Sequence, residues 1–400
     1  MTLISSVSGI RGTIGGKPGE SLTPFDVIKF TAAFGMWARY KTDKNTIVVG
    51  RDARVSGRMF SQLVCNTLIA QGFKVIDLGL CPTPTVEMAV QWEDAAAGII
   101  LTASHNPIQW NALKLLDEKG EFVSEQDGKT IIDLAKNEAF LFAEHNKLGE
   151  YLTNDSYVKK HIEEILKLEI VDVQAIKKRK FKIVVDGVNS VGGTAVPELL
   201  SALGVDMVEK IFCEPNGIFP HNPEPLPEHL SKLSQTVVEK KFDLGICVDP
   251  DVDRLAFVSD DGNVFGEEYT LVAIADYVLS KEKGNSVSNM SSSRALKDIT
   301  IKHGGNYAES PVGEVFVVKA MKETNAVIGG EGNGGVIYPK LHYGRDGLVG
   351  IALFLSYVAN QKKTVSQIRM SLPDYHIAKK KIELTPEVNV DLILRKLKER

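Results

Sequence analysis

The sequence predicts an α/β protein built from three similar domains, and three observations point there. Short apolar runs rich in β-branched residues alternate with stretches of helical spacing. The order strand, small-residue turn, helix, glycine, strand occurs three times. The 400 residues, 44% hydrophobic and 24% charged, supply core for two to four domains.

The first copy opens with TIVVG (46–50) as a strand and RDARVSG as a polar turn. MFSQLVCNTLIAQGF then has helical spacing that stops near Gly72, and KVIDLGL is the next strand. The second copy runs FKIVVDG (181–187), NSVGG, a helix over TAVPELLSALG ending at Gly204, and VDMVEKIF. The third runs SVSNM, SSSRALKDITIKHGG and NYAES. Strands alternating with helices argue for parallel layers. EYLTNDSYVKKHIEEILKL (150–168) reads as a helix entering the second unit, and further breaks fall near 258–266, at SDDGNVFGE, and near Pro373. The expected domains are therefore 1–150, 151–257 and 258–371. Residues 372–400 hold one strand-like and one helix-like segment, too little for a domain of their own.

Several function classes drop out. Net charge is −4, and KKRK (177–180) and KKK (379–381) are short, isolated and read as solvated surface, so nucleic acid is not an expected partner. Cys65, Cys81, Cys213 and Cys247 show no CxxC and no zinc spacing, which reads as reduced thiols of a cytoplasmic protein. The first residues lack a basic region followed by an apolar one, and no apolar run approaches ~18 residues, so neither a signal peptide nor a membrane span is expected.

AGIILTASHNPIQWNALKLL (97–116) ends an apolar run on Ser104 and His105, with Lys114 ten residues past the serine. A buried strand is a poor place for such residues unless they work. DPDVDR (249–254) follows the apolar run LGICV, and its alternating Asp249, Asp251 and Asp253 can turn toward one point. Three oxygen ligands at that spacing suit a hard cation such as Mg²⁺. A calcium loop of the EF-hand kind would need glycine where Arg254 stands. GGEGNGG (329–335) contains a literal G-x-G-x-x-G, but VIYPKL follows in place of a helix, and position 355 is leucine rather than an acid. A glycine-lined loop offering Glu331 and Asn333 to a polar ligand fits better, with a plain hairpin turn as the alternative.

Arg11, Arg51 and Arg54 sit in glycine-flanked loops, VSGIRG and VGRDARVSG, and are candidates for bidentate phosphate contacts. Arg345 and Asp346 of HYGRDG read as a structural pair. NGIFPHNPEPLPEH (216–229) is proline-rich and reads as a long shaped loop of the kind that often has a function. G-x-S-x-G, H-E-x-x-H and G-x-x-x-x-G-K-[ST] are all absent. A serine, an acidic metal loop and several arginines together suit phosphoryl transfer, in which a hydroxyl carries the group covalently.

TASHNP with Lys114 downstream, DPDVDR, the GIRG opening and the GEGNGG loop resemble, in order and rough spacing, the α-D-phosphohexomutase family over about residues 1 to 372. The resemblance implies mixed sheets around a central cleft. Ser104 would be the phosphoserine, completing a Mg²⁺ site with Asp249, Asp251 and Asp253. His105 and Asn106 would flank it, Lys114 and Arg11 would assist proton movement and charge stabilisation, and Arg254 would support the transferring group. Glu331 and Asn333 would bind sugar hydroxyls, with Glu314 of SPVGE at the same edge and Arg51 a further substrate contact. A phosphosugar is the implied partner, isomerised through a 1,6-bisphosphate that turns around in the cleft; a homodimer is left open.

Two departures qualify the resemblance. The GE-x-S-G-H histidine is Gly335 here and Asn333 replaces the serine, as in the phosphoglucosamine branch. Glu314 stands where glucose- and mannose-specific members often carry histidine, and a carboxylate near C2 suits an amino sugar. A C-terminal R-x-S-G-T/N-E-P phosphate loop is missing, so residues 372–400 read as the start of a truncated fourth domain. The corresponding expectation is poor turnover with Ser104 still open to phosphorylation.

Overall fold

A computed structural model describes residues 2–6, 9–377, 388 and 390–398. The first unit contains β1 (Ile4–Ser6), β2 (Gly9–Thr13), α1 (Pro24–Lys41), β3 (Thr46–Arg51), α2 (Gly57–Ala70), β4 (Lys74–Leu80), α3 (Thr83–Trp92), β5 (Ala97–Leu101), β6 (Trp110–Leu116), α4 (Glu125–Lys136) and β7 (Tyr151–Thr153). The second contains α5 (Tyr157–Lys167), α6 (Val173–Arg179), β8 (Lys182–Asp186), α7 (Gly192–Ala202), β9 (Met207–Ile211), α8 (Ser231–Lys240), β10 (Leu244–Val248) and β11 (Leu255–Ser259). In the third are α9 (Glu267–Lys281), β12 (Asn285–Asn289), α10 (Ala295–Lys302), β13 (Tyr307–Ser310), α11 (Glu314–Thr324), β14 (Ala326–Glu331), β15 (Gly335–Ile337), α12 (Gly347–Ala359) and α13 (Val365–Met370). α14 (Val390–Lys398) stands beyond them. Much of the stretch expected to begin a fourth domain, residues 378–387, 389, 399 and 400, lies outside the described residues.

The repeat read from the sequence is a repeat of topology. The sheets run β1-β2-β6-β5-β3-β4-β7, β11-β10-β8-β9 and β13-β12-β14-β15. In each, a first strand lies between its two parallel partners, and the last strand returns antiparallel at the side of the third. The sheets are therefore mixed. The third and fourth strands form a hairpin every time: β5–β6, β10–β11 and β14–β15. Its loop holds TASHNP in the first unit and DPDVDR in the second, and GEGNGG forms the tip of the third, with Glu331 ending β14 and Gly335 starting β15. One position in the repeat thus presents all three chemical motifs.

Tyr151–Thr153 differs from the helix expected there. It pairs in parallel with Val75–Asp77 as an exposed edge strand, and the helix starts only at Tyr157. The YLT run favours an extended edge.

The second and third units share one apolar core. α12, GLVGIALFLSYVA, is buried on nearly every side, as an all-round apolar helix must be. Its Phe354 stacks on Phe257 of β11 with ring centroids 3.9 Å apart, and Phe265 meets both edge-on. Each such aromatic pair adds ~0.5–1.5 kcal/mol beyond area burial. This packing fixes the DPDVDR and GEGNGG hairpins relative to each other.

Candidate active site

The Ser104 loop is held from behind. β5 is buried throughout and pairs antiparallel with β6, placing Lys114 opposite Ile100. Ser104 itself has φ +47°, in the left-handed region where a non-glycine residue costs ~1–2 kcal/mol. Its N–H donates to Thr102 Oγ1 (2.9 Å), and that hydroxyl donates to Asp52 Oδ2 (2.7 Å). Arg54, fully buried, spends its guanidinium on the same loop. Its Nε donates to Asp52, Nη1 to the carbonyls of Pro107 and Trp110, and Nη2 to those of Ser104 and Asn106. The sequence suggested a phosphate contact for Arg54; its donors are instead consumed by the turn that strains Ser104.

That turn sets Ser104 against the acidic hairpin of the second unit. Ser104 Oγ donates to Asp249 Oδ2 at 2.5 Å. Asp249, Asp251 and Asp253 are fully buried, and one oxygen from each lies within 4.8 Å of the others. Asp249 Oδ1 accepts from the N–H groups of Asp253 and Arg254, so the loop wraps its own first carboxylate. Lys114 Nζ donates to Asp251 Oδ2 (2.7 Å) and Asp253 Oδ2 (2.9 Å), and Thr83 Oγ1 to Asp251 Oδ2 (2.6 Å). Asp251 Oδ1 and Asp253 Oδ1 remain buried without a hydrogen-bond partner. Two orphaned carboxylate oxygens beside a third acid are a donor set that fits a hard divalent cation.

Burial and the crowding of Asp251 and Asp253 push the Asp249 carboxyl well above its ordinary range. Burial pushes Asp253 the same way, but Arg345, Lys114 and Arg254 outweigh it and hold that group below the usual value. Burial opposes the Lys114 ammonium, yet Asp251 and Asp253 raise its pKa further, so Lys114 stays charged. His105 Nδ1 lies 3.3 Å from Ser104 Oγ, and burial with the nearby Arg254 charge lowers the His105 pKa to about 3.

A cavity of about 380 Å³ opens over Ser104. Arg11, Ser104, His105, Asn106, Lys114 and Arg254 line one side; Glu314, Glu331, Asn333 and Arg345 of the third unit line the other. Arg11 and Arg254 each keep a buried Nε without a partner there. Arg51 does not line the cavity: its Nη1 donates to the Asp52 carbonyl.

Arg345 does not form the expected pair with Asp346. It gathers three carboxylates from two units: Nη2 to Asp253 (2.7 Å), Nη1 to Glu331 (2.6 Å), and Nε to Glu314 (2.9 Å). Its backbone N–H takes the other Glu314 oxygen (3.0 Å). Asp346 turns away to cap α12 through Leu348 N and Val349 N. Sequence reasoning also missed Thr83 and Glu224, the latter pairing with Arg254 at 2.9 Å. Glu224 does sit in the proline-rich loop that was singled out; Thr83 left no local signal.

Sequence models of the α/β/α domains I, II and III of phosphoglucomutase/phosphomannomutase match residues 3–142, 157–262 and 266–375. The chain belongs to the phosphoglucomutase/phosphomannomutase family. A phosphoglucomutase/phosphomannomutase of Thermococcus kodakarensis is 36% identical over 92% of this chain and 81% of its own. A phosphoglucosamine/phosphogalactosamine mutase of Sulfurisphaera tokodaii is 32% identical over the whole chain and 87% of its own. The crystal structure of a family protein from Burkholderia thailandensis superposes with a TM-score of 0.81 at 27% identity, covering 93% of this chain and 80% of that one. As a phosphohexomutase it is an isomerase-class phosphotransferase. No helix among the described residues is long and apolar enough to cross a membrane.

Proposed function

We propose that this phosphohexomutase interconverts glucosamine 6-phosphate and glucosamine 1-phosphate, with Ser104 as the phosphoryl carrier and a sugar 1,6-bisphosphate as the intermediate. One observation carries the reading. Around the single hydroxyl of Ser104 stand Arg11 and Arg254 on the cavity wall, each with an unpaired Nε, and the acidic hairpin, where Asp251 and Asp253 each keep an unpaired Oδ1. The first set suits phosphate oxygens and the second suits a cation.

Asp249, Asp251 and Asp253 would hold Mg²⁺ with Ser104, and the ion supplies charge that offsets the phosphoryl oxygens. The protein's own groups do the rest. A sugar hydroxyl attacks the phosphorus of phosphoserine 104; the P–Oγ bond breaks, its electron pair returns to Ser104 Oγ, and the proton of the sugar hydroxyl ends on that oxygen, leaving the 1,6-bisphosphate and a neutral serine hydroxyl. Asp249 Oδ2 lies where it can accept the Ser104 proton in the unphosphorylated state. Lys114, held as an ammonium, and Arg254 stabilise the transferring charge. His105 stays neutral beside them. After the bisphosphate has turned around, Ser104 Oγ takes back the other phosphoryl group.

The amino sugar is favoured by the GEGNGG loop and by relatives named for phosphoglucosamine. Glu314 lines the cavity but has both oxygens on Arg345, so it meets an ammonium at C2 only by sharing. The neutral hexoses remain the alternative substrates, in keeping with the Thermococcus relative's name. The reading places the enzyme in the cytoplasm, where its four free cysteines would stay reduced. Comparing kcat/KM for the 6-phosphates of glucosamine, glucose and mannose tests the choice; an amino-sugar value below the mannose value overturns it.

A further inference from the structure

Behind the cleft, three units meet at a second cluster that the mutase reaction does not use. His161 of α5, and His342 and Asp346 of the loop before α12, are all buried, with ligand atoms within 4.8 Å of one another. His161 Nε2 lies 2.9 Å and His342 Nε2 3.3 Å from the same oxygen, Asp346 Oδ2. The rings stand edge to face at 86°. From α3 of the first unit, Thr85 Oγ1 holds His161 Nδ1 at 2.9 Å, and Glu87 Oε2 faces His342 Nδ1 at 3.4 Å.

Glu87 is the odd member. It is 2% exposed, and neither carboxylate oxygen has a hydrogen-bond partner. The backbone is shaped around it, since a Cβ at Gly344 would clash with Oε2. Proton placement explains the difficulty. If both Nε2 atoms donate to Asp346 Oδ2, a neutral His342 turns a bare Nδ1 lone pair toward the Glu87 carboxylate. If both Nε2 atoms instead bind a metal, each ring proton moves to Nδ1, where Thr85 and Glu87 are the acceptors. A carboxylate or hydroxyl behind each ligating histidine is the usual support of such a site. The partners point the same way: among the described residues the ion pairs of both carboxylates, Asp346 and Glu87, are with histidine alone.

We propose that His161, His342 and Asp346 bind a divalent zinc ion, supported by Thr85 and Glu87. Two imidazoles and one carboxylate match zinc rather than the hard cation suited to the all-oxygen aspartate triplet. The bound ion joins α5 to the loop before α12, and through Thr85 and Glu87 to α3. It pins the three units together and takes no part in phosphoryl transfer.

The test uses the full chain produced with zinc supplied, dialysed into magnesium buffer, and measured by metal analysis and zinc-edge X-ray absorption. About one zinc per chain with two imidazole ligands is expected. D251N should retain that zinc, H161Q/H342Q should lose it, and a chelator should lower the Tm of D251N but not of H161Q/H342Q. Zinc absent from the wild-type chain, or present without imidazole scattering, or lost in D251N, overturns the proposal. The absorption spectrum of the wild-type chain decides the matter even where H161Q/H342Q does not fold. None of these readouts depends on which sugar the enzyme accepts.

Discussion

Ser104 and Asp249 lie 145 residues apart, yet Oγ of one donates to Oδ2 of the other at 2.5 Å. The contact exists because equivalent hairpins of two repeats converge, one holding the serine and the other the acids. Asp249→Asn keeps an oxygen for the N–H groups of Asp253 and Arg254, so the loop should survive. What it removes is the carboxylate oxygen that accepts from the Ser104 hydroxyl. Turnover should fall by ~10²-fold or more in a steady-state assay while the unfolding transition stays near wild type.

Arg54 is predicted to act on Ser104 only through the backbone. Arg54→Ala strands buried Asp52 and frees the carbonyls of Ser104, Asn106, Pro107 and Trp110. The expected loss is ~3–5 kcal/mol in urea unfolding. Arg54→Lys should recover little of it, because an ammonium cannot reproduce the planar fork.

Arg345 is expected to be as costly. Arg345→Met leaves Asp253, Glu314 and Glu331 buried without their shared cation. Stability should drop by ~3–5 kcal/mol, and kcat/KM with it, because the aspartate hairpin and the third unit's glycine-rich hairpin lose their link. Glu314→Gln in the Met background should restore part of the stability, which a double-mutant cycle measures.

His105 should not act as a pH switch. With its folded pKa lowered to about 3, the ring stays neutral through the range in which a free imidazole titrates. The unfolded chain then binds the extra proton first. His105 therefore contributes stability above the unfolded pKa of ~6.5, and that contribution is lost as pH falls toward the folded value. Imidazole NMR shifts constant between about pH 5 and 8 are expected. A His105→Gln variant should show a shallower loss of stability on acidification.

What could be read in advance followed the reach of each contact. The three α/β copies were legible because strand, turn and helix are local patterns, and Ser104, the aspartates and Glu331 stood out because each motif fills one hairpin loop. The same locality failed for Arg345, whose carboxylate partners lie 14, 31 and 92 residues away. Arg54 and Arg11 looked alike as glycine-flanked arginines. Only the fold shows that one turns back on carbonyls and the other lines the cavity. Tyr151–Thr153 was read as part of a helical approach because its parallel partner, β4, is contributed from 76 residues earlier at Val75.

The most direct test of the account is the mass of the intact chain after incubation with magnesium and a hexose 1,6-bisphosphate. The account predicts a gain of about one phosphoryl group (~80 Da). That gain should be absent in Ser104→Ala and chased off by unlabelled sugar monophosphate. An equal gain in Ser104→Ala, or none in the wild-type chain, would contradict it.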